Sequence, residues 1–143
     1  MNFNPNTISM LQSIVAMGLL SLVMFIWMYA TRIPAMNRAR VEPQATQHPG
    51  ALDSLPSEVR RVADNYNHLF EAPTLFYAMV IAIVLLGHAD QWHVMAAWAY
   101  VILRALHSLV QATVNLVMLR FVLFVLSWAA LGAMVVREVA ALY

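Results

Sequence analysis

No charged side chain occurs in the first 31 residues, and residues 8–30 are apolar enough to cross a membrane. About 20 apolar residues in a helix cross the hydrocarbon core of a bilayer. A cleaved signal segment would need a basic start and a small-residue cleavage site. Here residues 1–6 are uncharged and the first basic residue, Arg32, follows the run. The run therefore reads as a retained first span, at about 8–31.

Three more apolar stretches follow, at about 62–87, 92–116 and 120–140. The composition, 62% hydrophobic and 10% charged, excludes an ordinary soluble domain, which carries about a quarter charged residues. The expected fold class is an all-α membrane protein, a four-transmembrane-helix antiparallel bundle. The last connection is so short that the third and fourth helices must form an antiparallel pair. Between the first two spans lies one polar loop, 32–61, where Pro34, Pro43, Pro49, Gly50 and Pro56 are expected to break helix. Ser54, Ser57 and Glu58 offer capping chemistry for a short turn near its end.

All eight basic residues are Arg, and five of them (Arg32, Arg38, Arg40, Arg60 and Arg61) lie at this loop. The positive-inside rule then places the loop in the cytoplasm and both termini outside. A net charge of +1 argues against a nucleic-acid partner held through phosphates. With no cysteine there is neither a disulfide framework nor a thiol nucleophile of the chain's own.

The later spans are not pure hydrocarbon. The second carries Asp64, Asn67, His68 and Glu71, the third Arg104, His107 and Gln111, and Arg120 opens the fourth. An ionisable residue inside a span costs about 3 kcal/mol or more unless it faces the bundle interior and finds a partner. Arg104, His107 and Gln111 share one helix face, and Asp64, Asn67 and Glu71 repeat the same spacing. Glu71 lies about 13 Å along its helix, at the depth expected for His107. Pro73, which cannot donate to the Leu69 carbonyl, predicts a bend just beyond Glu71. A Glu71–Arg104 ion pair would explain two of these residues structurally. Several Arg near one mouth suit a carboxylate-bearing anionic ligand better. His88, Asp90 and His93 read as solvated turn residues rather than a metal site, and His48 carries no signal. The ten Met are expected to fill the core.

Three segments resemble the MAPEG family, the membrane-associated proteins in eicosanoid and glutathione metabolism. Asn65-Tyr66-Asn67-His68-Leu69-Phe70-Glu71-Ala72-Pro73-Thr74-Leu75-Phe76-Tyr77 is similar to its second-helix signature. Trp98-Ala99-Tyr100-Val101-Ile102-Leu103-Arg104-Ala105-Leu106-His107-Ser108 is similar to its third-helix signature, and residues 115–121 to its entry into the fourth. Two positions differ from the glutathione-using members. His68 stands where they typically have Asn, and Gln111 where several have Tyr.

The resemblance, to a bacterial branch of the family, implies a bacterial inner-membrane protein and a homotrimer with a glutathione site between subunits, open to the cytoplasm. It assigns Arg120 to stabilising the thiolate, and Glu71 to holding the amine end of the tripeptide. Arg61, Asn67, His68, Arg104, His107 and Gln111 would line the rest of the pocket. The activity implied is a glutathione transferase or peroxidase acting on small hydrophobic electrophiles dissolved in membrane lipid. The alternative is a non-catalytic lipid- or ligand-binding protein of the same fold. A transporter is disfavoured, because the sequence gives no pair of broken helices.

Overall fold

The computed structural model describes residues 4–47 and 50–143; His48 and the expected helix-breaker Pro49 lie outside the described residues. Five α-helices follow in order: α1 Pro5–Ala39, α2 Ser57–His68, α3 Ala72–Leu86, α4 Gln91–Ala112 and α5 Val117–Leu142. With α2 and α3 taken as one interrupted span, four helices are long and apolar enough to cross a membrane. α1 packs on α2, α3 and α4, while α5 closes the bundle against α4 and α3. We call the end carrying the 40–56 loop the loop end, and the opposite end, with residues 87–90, the turn end.

α1 begins at an Asn4 cap whose side chain accepts from the Thr7 N–H at 3.0 Å, with Pro5 pre-set for the first turn. It runs eight residues past the expected end, 31 to 39. Pro34 sits inside the helix rather than ending it, because a proline removes one hydrogen bond and the flanking turns hold. Its inward face is a stripe of Met10, Met17, Met24 and Met28, unbranched side chains that fill the uneven gaps between helices.

The second span breaks over residues 69–71, ahead of the bend expected just beyond Glu71 from Pro73. α2 ends at His68 and α3 starts at Ala72, so Glu71 stands in the break as the residue before α3. Pro73 has no N–H for the Leu69 carbonyl, and its ring crowds that carbonyl. The chain therefore uncoils over 69–71 and restarts with Pro73 in the first turn of α3, where the missing donor matters least. Pro56, not a serine, precedes α2, and no side chain caps that start.

α3 ends at Gly87, whose φ of 76° supplies the left-handed turn, and the His88 N–H closes it on the Ile83 carbonyl at 3.0 Å. Asp90 then caps α4, accepting from the His93 N–H at 2.9 Å. α4 ends at Ala112, four residues earlier than expected, and α5 starts at Val117, three residues earlier than expected. Asn115 makes that tight connection possible. It adopts φ 54°, which Asn tolerates better than most residues, and its N–H reaches the Val110 carbonyl at 2.7 Å.

Side chains such as Val15, Leu19, Leu85, Val117 and Met118 face outward. In water such a surface would aggregate; against lipid tails it is matched. The interior is close-packed around Phe76 and Tyr100, whose rings stack at 4.4 Å.

The turn end corrects one expectation. His93 is only 2% exposed, because α4 turns it into the bundle, where it meets Glu138 of α5 at 3.3 Å. Asp90 meanwhile pairs with Arg137, which also lies over the Trp92 ring at 4.9 Å. Partial burial pushes the Asp90 carboxyl up, but the His93 N–H, the His93 ring and Arg137 together hold it below the usual carboxylate range.

A carboxyl with a lowered folded-state pKa stabilises the fold above its unfolded value, about 3.9, and that contribution fades as pH falls through the folded value. Asp90→Asn keeps the cap and removes the charge. Thermal unfolding in detergent should therefore show a lower Tm for the variant at neutral pH and convergence with the parent as pH falls through the lowered folded-state value. Equal Tm values for variant and parent at every pH would assign Asp90 to capping alone.

Candidate functional site

The polar side chains of α4 lie on its buried stripe. His93, Ala97, Tyr100, Arg104, His107, Ser108 and Gln111 are all buried, at the three- and four-residue spacing of one helix face. Arg104 is fully buried. Its NH2 donates to the His68 carbonyl at 3.1 Å, the oxygen left at the end of α2 by the break. A buried guanidinium thus replaces the backbone donor that a continuous helix would have supplied. Its Nε and NH1 make no hydrogen bond among the described residues.

His107 ties α4 to the start of α5. Its Nδ1 donates to the Arg120 carbonyl at 3.0 Å, while Nε2 lies 3.0 Å from the Gln111 amide. The amide atom placed there is Gln111 Oε1; with Nδ1 committed as donor, a neutral ring offers Nε2 as acceptor, and exchanging the amide O and N makes Gln111 the donor. Arg120 is half-buried, and its NH1 donates to the Asn115 side chain, so one residue sets the turn and fixes the guanidinium. Its Nε has no hydrogen-bond partner among the described residues.

Phe124, one turn along α5 from Arg120, is the hub that sequence reasoning missed. The His68 ring lies 5.9 Å from it, the His107 ring 6.1 Å, and the Arg104 guanidinium 5.9 Å from its centroid. The aromatic face accepts the cation where a carboxylate was expected. The spacing of Arg120 and Phe124, four residues apart on one helix face, was the available signal.

The structure brings together His68, Arg104, His107, Gln111 and Arg120, and leaves Glu71, Asp64, Asn67 and Arg61 outside that cluster. Glu71 is 68% exposed at its side chain; its partner is the His68 Nδ1 at 3.5 Å, and it forms no ion pair with Arg104. The reason is the break, which swings residue 71 off the inward face. Asp64 and Asn67 are exposed too. Arg61 is half-buried with its Nε unpaired. The acid-and-amide face of the second span and the basic face of the third, expected to meet, point in different directions within one subunit. Asn65, one residue from Asp64, is instead fully buried with both amide atoms unpaired. Together with the unpaired Tyr100 and Ser108 hydroxyls, it marks a polar interior beside Arg104 that spacing arguments passed over.

Arg104→Met keeps much of the volume and leaves the His68 carbonyl without its donor, which should destabilise the bundle by about 1–3 kcal/mol, read as a fall in detergent Tm. Arg120→Met removes one hydrogen bond to a partly solvated partner and should change stability by about 1 kcal/mol or less. Equal losses from the two variants would contradict the division into a structural and an available guanidinium.

No curated protein and no solved structure matches the chain. Residues 10–140, nearly the whole sequence, match the MAPEG family, whose four-helix bundle is the architecture found here. The chain is an integral membrane protein and belongs to the MAPEG family.

Proposed function

We propose that the protein is a membrane-bound glutathione transferase or peroxidase, with its thiol site at the loop end of the bundle facing the cytoplasm. The observation that carries this reading is the set of guanidinium N–H groups left without a partner among the described residues on α2, α4 and α5: Nε of Arg61, Nε and NH1 of Arg104, and Nε of Arg120. A peptide thiol with two carboxylates is a chemical match for such donors. A guanidinium beside sulfur favours the thiolate, the reactive form. Arg120 suits that role best, being half-exposed, oriented by Asn115 and close to the bundle mouth. Hydrophobic electrophiles would reach the site from the lipid. Attack forms an S–C bond as the leaving group departs; with a hydroperoxide, two thiols supply the electrons that reduce it to alcohol and water.

Glu71 and Asn67 point away from Arg104 in one subunit, which favours a site completed by a neighbouring copy. Glu71 of one subunit and the Arg cluster of the next would then face the same ligand, as a trimer allows.

A second reading has its own support. Arg104 is engaged with the His68 carbonyl and the Phe124 ring, as in a purely structural post. On that basis the protein binds lipid or another anionic amphiphile without chemistry.

Glutathione titrated into the detergent-purified protein, followed by ultraviolet thiolate absorbance, separates the two. The enzyme reading expects saturable binding and a thiolate band that Arg120→Ala abolishes while the Tm stays close to the parent. Glu71→Gln should weaken binding at least about tenfold, the loss of one charge-assisted hydrogen bond worth about 1.5–3 kcal/mol. Absence of binding at millimolar glutathione would overturn the enzyme reading and leave the binding-protein alternative.

A further inference from the structure

The loop end carries a groove that the thiol site does not use. α1 continues past the end of its apolar stretch, and its final turns stand against the start of α2. Between them lies a cleft of about 630 Å³, within the size range of small-molecule sites. Thr31, Pro34 and Arg38 of α1 form one wall. Ser54 and Pro56 of the loop, with Glu58 in the first turn of α2, form the other. None of the residues assigned to the thiol site lines it.

Among the described residues lining the groove, Arg38 and Glu58 are the ionisable ones, and they stand on opposite walls. Both are exposed. Neither forms an ion pair with the other or with any described residue. The loop's Asp53 is already paired with Arg60 at 3.8 Å. Glu58 makes no capping hydrogen bond at the start of its own helix. A cation and an anion kept apart across one groove are complementary to a ligand that carries both charges.

The depth of the groove indicates a lipid. It opens at Ala30 and Thr31, where the apolar run of α1 ends, and reaches Arg38 about 12 Å further along the helix. The headgroup layer of one leaflet extends only about 5–7 Å beyond the hydrocarbon, so the groove passes through all of it. Leu22, Ile26, Ala30, Pro34 and Arg38 follow one another at four-residue spacing, a single row on the helix surface. Leu22 and Ile26, the deeper members of that row, are exposed. Acyl chains hanging from a headgroup in the groove would lie against them.

The two walls also select among headgroups. A guanidinium suits a phosphate diester. A head with phosphate as its one charge would leave Glu58 facing an anion, which discriminates against it. A quaternary ammonium has no hydrogen to donate to a carboxylate and is recognised by aromatic faces instead; among the described residues no aromatic side chain lines the groove. A primary ammonium donates directly to Glu58. We propose that the groove between α1 and α2 binds the headgroup of an aminophospholipid of the phosphatidylethanolamine class, with its phosphate on Arg38 and its ammonium on Glu58. The site lies on the lipid-facing side of the loop end and does not depend on whether glutathione binds.

The test is native mass spectrometry of the full chain in micelles doped with phosphatidylethanolamine, phosphatidylcholine or phosphatidylglycerol of identical acyl chains. The ethanolamine lipid should bind at least about tenfold more tightly than either of the others. Arg38→Gln should lose that affinity, and Glu58→Gln should bind phosphatidylglycerol at least as well as phosphatidylethanolamine, each with a Tm close to the parent. Equal affinity for the three lipids would overturn the proposal, as would a preference that neither variant alters. Glycerophosphoethanolamine carries the same head without acyl chains; if it displaces the lipid at equal concentration, the ligand is a soluble one and the lipid assignment falls. Excess glutathione should leave the lipid bound, and displacement would overturn the proposal by placing the groove within the thiol site. Should a variant fail to fold, the comparison of the three lipids on the parent decides.

Discussion

The bundle depends on one backbone carbonyl and the guanidinium that satisfies it. A proline at position 73 guarantees that the second span cannot hydrogen-bond through its middle. In a hydrocarbon environment an orphaned carbonyl is several times more damaging than in water, since no solvent can take its place. The break also frees the His68 oxygen from its helical donor, the Ala72 N–H, and that oxygen is met by Arg104 from α4. The break and the buried cation explain each other: the cation is retained because the break needs a donor, and the break is tolerated because the cation is there. The Phe124 ring beneath the guanidinium offsets the charge without an acid.

That arrangement sets what remains available for chemistry. Arg104 is partly committed, while Arg120 is held by the same Asn115 that turns α4 into α5. His107, bridging Gln111 and the Arg120 carbonyl, keeps the two helices in register at the depth of the cluster. The break also turns Glu71 outward, onto the surface that carries Asp64 and Asn67. A row of polar groups on the outside of a span is unfavourable against lipid. It suits a surface that meets the loop-end water or a second protein copy, which links the fold of one subunit to the intersubunit site proposed above.

The two ends of the bundle solve the problem of buried polarity differently. At the loop end, cations are met by carbonyls, an amide and an aromatic face, and several donors stay unused. At the turn end, acids and bases pair closely around Glu138. Unused donors suit a ligand that comes and goes; closed pairs suit a structural fastening.

Much of this was legible in the sequence. Four apolar stretches separated by polar loops leave a chain almost no alternative to crossing a bilayer, because backbone groups in lipid must be satisfied within helices. The spacing of Arg104, His107 and Gln111 fixed their common face, since helical periodicity is a local property. What each face meets is not local. Whether Pro73 bends a helix or breaks it depends on a donor arriving from Arg104, 36 residues away in sequence. That choice turned Glu71 outward, and it left Arg104 to Phe124 rather than to an acid. The burial of His93 against Glu138 likewise needed α4 and α5 to lie side by side, so composition suggested solvated turn residues. The sequence by itself determined a membrane-embedded helical bundle with ionisable groups to accommodate. The tertiary structure decided their partners, because partners are chosen by packing across helices and not by spacing along one.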